Sequence, residues 1–318
     1  MRIKSSFFEG KNMKLYLSFP RGFCAGVVRA IKTVEKALLL FSPPIYIKHE
    51  IVHNRHVVDG LKKRGVIFVE DLSNLPFGAK IIYSAHGVSP NVREIAKKRG
   101  LYEIDATCPL VEKIHSSIKN FSQKGYKILL IGHKNHVEVV AAKEESPKTT
   151  TVIETIEDIK KLSFPSNQKL FYVAQTTLNI DDVEKITKEL KKKYPQAETL
   201  KNSSICYATK NRQSALKAIA KQSDIIIIVG DKKSSNSNRL KEIAEKENIA
   251  SYLINGKEEI KKKWLENVSF IGMSAGASTP EYVVQSSIEK LKEYGLKEIE
   301  EVIFIEENVS FSLPSSII

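Results

Sequence analysis

Apolar residues recur along this chain in two alternating rhythms. Short runs rich in β-branched and aromatic residues read as strands: "KLYLSF", "IYIKHEIV", "KIIYS", "KILLIG", "KLFYVA", "IIIIVG" and "VSFIGM". Between them lie longer segments with apolar positions at helical spacing, such as "AGVVRAIKTVEKALLLF", "PLVEKIHSSIKNFSQKG" and "YATKNRQSALKAIAKQ". Strand and helix signals alternate, which predicts an α/β protein with mostly parallel sheets.

The alternation repeats three times. A strand, then a cysteine, then a helix occurs at Cys24, at Cys108 and, after the weaker strand signal "ETLKNSSI", at Cys206. In each unit the next strand runs into a polar loop. These loops hold His53, then His133, His136 and Glu138, then "DKKSSNSNRL" with Ser234, Ser235 and Asn236. His53 lies 29 residues after its cysteine, His136 lies 28 and Ser235 lies 29. A further strand in each unit ends in a second polar loop, carrying His86, Thr176 and Ser278 in turn. Ligands of open parallel sheets bind beyond the carboxyl ends of the strands, where all of these loops fall. The expected architecture is three α/β lobes in pseudo-threefold arrangement around one site, with residues 13–107, 108–203 and 204–295 as the lobes. Residues 1–12 form an N-terminal extension, and residues 296–318 a tail that packs back on an earlier lobe.

Composition narrows the class. The chain has 318 residues, 42% of them hydrophobic, and no apolar run of membrane-span length. The N-terminal stretch "MRIKSSFFEGKN" lacks the apolar region of a secretory signal, so a cytoplasmic location is expected. The net charge of +13 fits a lysine-rich solvated surface, or an anionic substrate or acidic partner steered by a positive field. No zinc-finger spacing, RNP-type aromatic motif or basic arm is present, so nucleic acid is not the expected partner, nor is a membrane. Three cysteines without a CxxC pair do not describe a disulfide framework.

Their placement at helix starts suggests another use. A helix N-terminus exposes unpaired N–H groups and partial positive charge, which favours thiolate, the metal-binding form. Pro109 suits a first helical position, and Gly26 permits close backbone approach beside Cys24. Three convergent thiolates suit an iron–sulfur cluster, or zinc with a histidine as fourth ligand. A 4Fe–4S cubane on three cysteines leaves one iron open to substrate, whereas structural zinc sites usually draw on local ligand pairs. A zinc-dependent phosphate-ester hydrolase on the same thiolates, and a basic RNA-associated protein with structural cysteines, are the alternative readings.

Nine segments then occur in one order: "PRGFCAGV", "VHNRHVV", "SAHGVSP", "DATCPLV", "GHKNHVEV", "QTTLNIDD", "ICYATKNRQ", "SSNSNRL" and "AGASTPE". Together they resemble the 4-hydroxy-3-methylbut-2-enyl diphosphate reductase family, from about residue 13 to the C-terminus. The resemblance implies a three-lobed cloverleaf around a 4Fe–4S cluster held by Cys24, Cys108 and Cys206. It implies reductive removal of an allylic hydroxyl with two electrons and two protons, the hydroxyl oxygen binding the open iron. The products would be isopentenyl and dimethylallyl diphosphate. The electron donor would be ferredoxin or flavodoxin, and the protein a monomer or homodimer.

Site roles follow from the same resemblance. His53 and His86 match diphosphate-binding histidines, and His136 lines the substrate site. Ser234, Ser235, Asn236 and Ser278 are assigned to the diphosphate. The run "SSNSN" exceeds what one helix cap needs, and Thr279-Pro280 reads as a cap that leaves Ser278 free. Glu138 is the expected proton donor. Thr176 would fix the substrate hydroxyl end, and Thr209 would orient the same region. His49, His56 and His115 carry no comparable case. The chain departs from the family pattern at Val137, where proline is usual, at Val140, where a second glutamate is usual, and at Ser274, where threonine is usual.

Overall fold

The structure, a computed structural model, describes residues 13–201 and 204–318. The expected N-terminal extension lies outside the described residues, as do Asn202 and Ser203 in the third unit's weak strand signal.

Along the chain, β1 (Met13–Phe19) leads to α1 (Ala25–Leu40). Then come β2 (Ile45–Lys48), α2 (Arg55–Lys62), β3 (Val66–Val69), β4 (Lys80–Tyr83), α3 (Pro90–Lys98) and β5 (Tyr102–Asp105). The next group is α4 (Pro109–Gln123), β6 (Lys127–Ile131), α5 (Val137–Lys143), β7 (Thr150–Ile153), α6 (Ile156–Lys161), β8 (Leu170–Ala174), α7 (Ile180–Lys193) and β9 (Glu198–Thr199). The last is α8 (Tyr207–Ala220), β10 (Ile225–Val229), α9 (Ser235–Lys246), β11 (Ala250–Ile254), β12 (Phe270–Ala275), α10 (Glu281–Glu293) and β13 (Leu296–Ile303).

These strands form three sheets, ordered β3-β2-β4-β5, β7-β6-β8-β9 and β11-β10-β12-β1-β13. Every pairing in them is parallel. Helices cover both faces, so central strands are apolar throughout. All five residues of β10, "IIIIV", are buried.

The three sheets share one order. The opening strand lies between the second and third, and a fourth follows the third. In the first two sheets the fourth strand is β5 or β9, each leading directly to a cysteine. In the last sheet that position belongs to β1, which leads to Cys24. The linear repeat assigns "KLYLSF" to the first lobe, but the strand joins the sheet made from the end of the chain. The reason is pairing: without β1, one edge of β12 would present unpaired N–H and C=O groups. Each cysteine therefore stands where the chain leaves one sheet and enters the next.

The chain divides into two compact units. One comprises the residues up to Gly22 with Asn211–Glu307, the other Phe23–Lys210 with Asn308–Ile318. The first unit holds the β10-centred sheet. One face of it packs Leu15, Ile227, Met273 and Val284, and the other packs Leu216, Ile226, Ile228 and Leu240. β13 closes its edge with the charged sequence "LKEIEEVI", mostly exposed, a composition that discourages further strand pairing. Within the second unit, the final residues lie against the sheet of β2 to β5. Ile317 is buried with Ala30, Val34 and Ile104, and the Tyr102 hydroxyl donates to the Ser316 carbonyl at 2.7 Å. No helix among the described residues is long and apolar enough to cross a membrane.

Candidate active site

The three cysteines fall in one unit, each immediately before a helix. Cys24 and Cys108 occupy the N-cap positions of α1 and α4, yet neither side chain turns back to accept a capping hydrogen bond. A Ser or Asp there would normally do so. The Cys206 Sγ instead receives the Thr209 backbone N–H at 3.3 Å and lies 3.1 Å from the Thr209 hydroxyl. That contact gives Thr209 its place beside the third thiol.

Backbone hydrogen bonds tie two of the cysteines to the polar loops. Cys108 N–H donates to the Ala85 carbonyl at 3.0 Å, beside His86, and Cys206 N–H donates to the Thr176 carbonyl at 3.2 Å. Arg29, one turn into α1 from Cys24, donates to the carbonyls of Asp105 (3.2 Å) and Thr107 (2.9 Å), just ahead of Cys108. Sequence reading passed over Arg29, because an arginine within an amphipathic helix carries no local signal. A Cβ built on Gly26 would lie 2.7 Å from the Cys108 Sγ and 3.8 Å from the Cys24 Sγ. The glycine thus lets the Cys108 thiol approach α1 more closely than any side chain would allow.

The helix start does not by itself make Cys108 a thiolate. Burial, then the neighbouring Cys24, push its thiol up to about 12. A cationic centre bound between the thiols would reverse that balance. Among the described residues, no three His, Cys, Asp or Glu side chains gather closely enough to hold a single ion. A cubane binds each thiolate through a different iron, so its ligands need not meet at one point. The sulfur-only donor set and the close approach of Cys108 to the Gly26 backbone beside Cys24 fit an iron–sulfur cluster.

Glu138 sits in the first turn of α5 and is 3% exposed. Thr176, just beyond β8, donates its backbone N–H to one carboxylate oxygen (2.7 Å) and its hydroxyl to the other (2.8 Å). Burial raises the Glu138 pKa; the two Thr176 donors and the charge of His115 act in the opposite sense without cancelling it. One threonine therefore contacts both the candidate acid and, through its carbonyl, a candidate cluster ligand.

The rings of His53, His86 and His136 form one cluster. The rings of His53 and His86 stack at 4.3 Å between centroids, and His136 stands edge-on to them at 5.9 and 6.3 Å. His49 joins the group at 5.6 Å from His53, with Nδ1 2.7 Å from a Glu70 carboxylate oxygen. It follows β2 with φ +62°, and its position has no counterpart in the repeat, so the repeat did not reveal it. Burial, then the charges of His53, His136 and His49, hold His86 well below the ordinary imidazole value. Burial and then His53 bring His136 down to about 4. His136 also caps α5: its Nδ1 accepts the Glu138 backbone N–H at 3.2 Å, so Nδ1 carries no proton. His86 and His136 thus meet an incoming anion as neutral N–H donors.

The serine-rich loops belong to the other unit. Ser234 is the N-cap of α9, its Oγ accepting the Ser237 N–H at 3.3 Å. The Asn236 side-chain oxygen accepts the Ala277 N–H at 2.9 Å, linking this helix start to the loop that holds Ser278. Part of the polar surplus in "SSNSN" is therefore structural. Ser278 is buried, as is Ser237, against whose Oγ a Cβ on Gly230 or Gly276 would collide. Thr279 does not cap α10. Its hydroxyl donates to the Val229 carbonyl at 3.0 Å, and Pro280 holds the N-cap position without a side-chain bond. Burial at the end of β10 directs that hydroxyl to the strand.

Comparison with known proteins agrees with this geometry. A family model described as LytB protein matches residues 15–292. A 4-hydroxy-3-methylbut-2-enyl diphosphate reductase from Protochlamydia amoebophila is 58% identical over 306 residues, covering 96% of this chain and 98% of that protein. The solved structure of the E-1-hydroxy-2-methyl-but-2-enyl-4-diphosphate reductase from Plasmodium falciparum superposes with a TM-score of 0.94 at 47% identity, covering 96% of this chain and 97% of that one. A second solved structure, an (E)-4-hydroxy-3-methyl-but-2-enyl diphosphate reductase described as the terminal enzyme of the non-mevalonate pathway, gives a TM-score of 0.64 at 33% identity, covering 88% and 99%. With its three parallel sheets, its cysteines at the sheet crossovers and these matches along nearly its whole length, the chain belongs to the LytB family of 4-hydroxy-3-methylbut-2-enyl diphosphate reductases.

Proposed function

We propose that this chain carries out the reductive dehydroxylation of 4-hydroxy-3-methylbut-2-enyl diphosphate, consuming two electrons and two protons and yielding isopentenyl and dimethylallyl diphosphate. The observation that carries the reading is Thr176, which holds the buried Glu138 carboxyl with two donors and the Cys206 backbone with its carbonyl. A proton donor and a thiol are thus fixed to one residue. Cys24, Cys108 and Cys206 would hold a 4Fe–4S cluster, which when bound supplies the two electrons singly and Lewis acidity. Burial raises the proton affinity of Glu138, the direction that suits a donor of a proton to the departing hydroxyl. Thr176 orients that carboxyl and the alcohol end of the substrate, and Thr209 orients the region beside Cys206.

His53, His86 and His136 bind the diphosphate, together with Ser234, Ser235, Asn236 and Ser278. The neutral state of His86 and His136 alters their expected role. They begin as hydrogen-bond donors and gain protons as the anion arrives, because a neighbouring negative charge favours imidazolium. Ferredoxin or flavodoxin, both acidic, would dock to a chain of net charge +13. Free thiols at all three cysteines suit a cytoplasmic, reducing compartment, and the protein would act as a monomer or homodimer.

Anaerobic purification tests the reading. A brown protein with near-equal iron and sulfide is expected; a colourless, zinc-loaded, oxygen-insensitive one would sink it. Glu138→Gln should retain iron and lose turnover, and undiminished turnover would reject Glu138 as the acid.

A further inference from the structure

The connection that delivers Cys108 is gripped by two arginines. It runs from Asp105, the last residue of β5, through Ala106 and Thr107 to Cys108, the N-cap of α4. Ala106 and Thr107 are buried, so backbone polar groups here need partners within the protein. Asp105 supplies one of them. Its Oδ1 accepts the Thr107 N–H at 2.9 Å, while its Oδ2 accepts Nη2 of Arg93, from α3, at 2.7 Å. Arg29 meets the carbonyls. Its Nη2 donates to Asp105 at 3.2 Å and its Nη1 to Thr107 at 2.9 Å. Its Nε donates to the Ser312 carbonyl at 2.7 Å, so every guanidinium nitrogen carries a bond and the fork has one orientation. All of these residues belong to one unit.

Arg29 lies three residues beyond Gly26 in α1, and residues at that spacing share a helix face. Gly26 is where α1 lets the Cys108 Sγ come close, beside the Cys24 Sγ. The same face of the helix thus receives the thiol at Gly26 and holds the backbone ahead of it at Arg29. We propose that Arg29 is a positioning residue for Cys108, fastening the Asp105–Thr107 connection to the helix that begins at Cys24 and so fixing the spacing of the two thiols. A lysine would not replace it fully. Its ammonium is a single point, whereas carbonyls on two separate chain segments are here met by the three nitrogens of a planar fork. Bonds from a charged donor are stronger than neutral ones, which suits a clamp on a metal ligand.

The inference rests on Cys108 as a cluster ligand, so its test has an arm that needs no cluster chemistry. Amide hydrogen exchange is followed by mass spectrometry in the anaerobically purified full chain, for wild type, Arg29→Gln and Arg29→Lys. Residues 105–112 report the clamped connection, and residues 204–210, around Cys206, serve as the internal control. In the same samples, iron release to a chelator is timed. Arg29→Gln should speed exchange in 105–112 about tenfold, as the loss of a charge-assisted hydrogen bond permits, and leave 204–210 unchanged. Iron should leave Arg29→Gln faster than wild type, with Arg29→Lys between them. Arg29→Lys decides the matter if Arg29→Gln fails to fold. Unchanged exchange in 105–112 overturns the proposal. An equal rise in both segments also overturns it, because that marks general destabilisation, as does faster local exchange with wild-type iron retention. A wild-type chain that binds no iron would instead count against the cluster, leaving the exchange result to judge the Arg29 clamp.

Discussion

Gly26 faces Cys108 so closely that a Cβ on the glycine would lie 2.7 Å from the cysteine Sγ. The glycine is the second residue of α1, a position that most other residues would suit better on helix propensity alone. Space beside two thiols therefore outweighs helix propensity at this position. Gly26→Ala should cost about 1–3 kcal/mol through overpacking. It should also lower the iron and sulfide recovered per chain. An unfolding midpoint and an iron content equal to wild type would show that this close approach has no such role.

Thr176 offers a second handle on Glu138. Thr176→Val keeps the shape and the backbone donor but removes the hydroxyl that lies 2.8 Å from the carboxylate. A buried acceptor that loses its partner costs about 1–3 kcal/mol. The loss falls on the ionised form, so the Glu138 pKa should rise further and the alkaline limb of kcat should move to higher pH. A limb that moves to lower pH would contradict the hydrogen-bond geometry.

The histidine cluster predicts acid sensitivity. His136 is held at about 4 and His86 well below its ordinary value, while both would titrate near 6.5 in the unfolded chain. The unfolded state thus binds more protons across this window. Stability is fully present above about pH 6.5 and is lost as pH falls towards 4. Glu138, whose pKa is raised, changes in the opposite sense and offsets part of the loss. Denaturant unfolding over a pH series should show the decline, and His136→Asn, which can still cap α5, should flatten it. A slope identical to wild type would exclude His136 as a source.

Arg212 and Glu307 make a different kind of statement. The guanidinium is 1% exposed, lies 3.1 Å from the Glu307 carboxylate and donates through Nε to the Gly22 carbonyl at 3.0 Å. All three residues belong to the unit built on the β10 sheet. Removing the Glu307 carboxylate takes a charged partner from a buried guanidinium, so Glu307→Ala should lower stability, by up to about 3–5 kcal/mol. Equilibrium denaturation would read this directly, and a loss below about 1 kcal/mol would place the pair among ordinary surface contacts.

Much of the architecture was legible along the chain. Alternating strand and helix periods, glycine and proline at the junctions and recurring polar loops sufficed for an α/β fold with parallel sheets. They also sufficed for cysteines at helix starts and for Cys24, Cys108 and Cys206 as candidates, whereas Glu138 and three of the loop histidines were singled out by the family resemblance. Such features are local, because period and junction chemistry are set by neighbours in sequence.

Tertiary structure decided what depends on partners distant in sequence. β1 pairs with β12 and β13 at the far end of the chain, because an open sheet edge must be closed by whichever strand reaches it. Thr279 gives its hydroxyl to Val229 because burial leaves it no nearer acceptor. Cys108 has its proton affinity set by burial and a neighbouring thiol more than by its own helix. His115, unremarkable in "EKIHSS", meets Glu145 and the Gly87 turn only in the fold. The sequence by itself determined which residues end strands and begin helices. Only the fold determined which buried charges and donors meet, since burial and proximity are properties of packing and not of spacing.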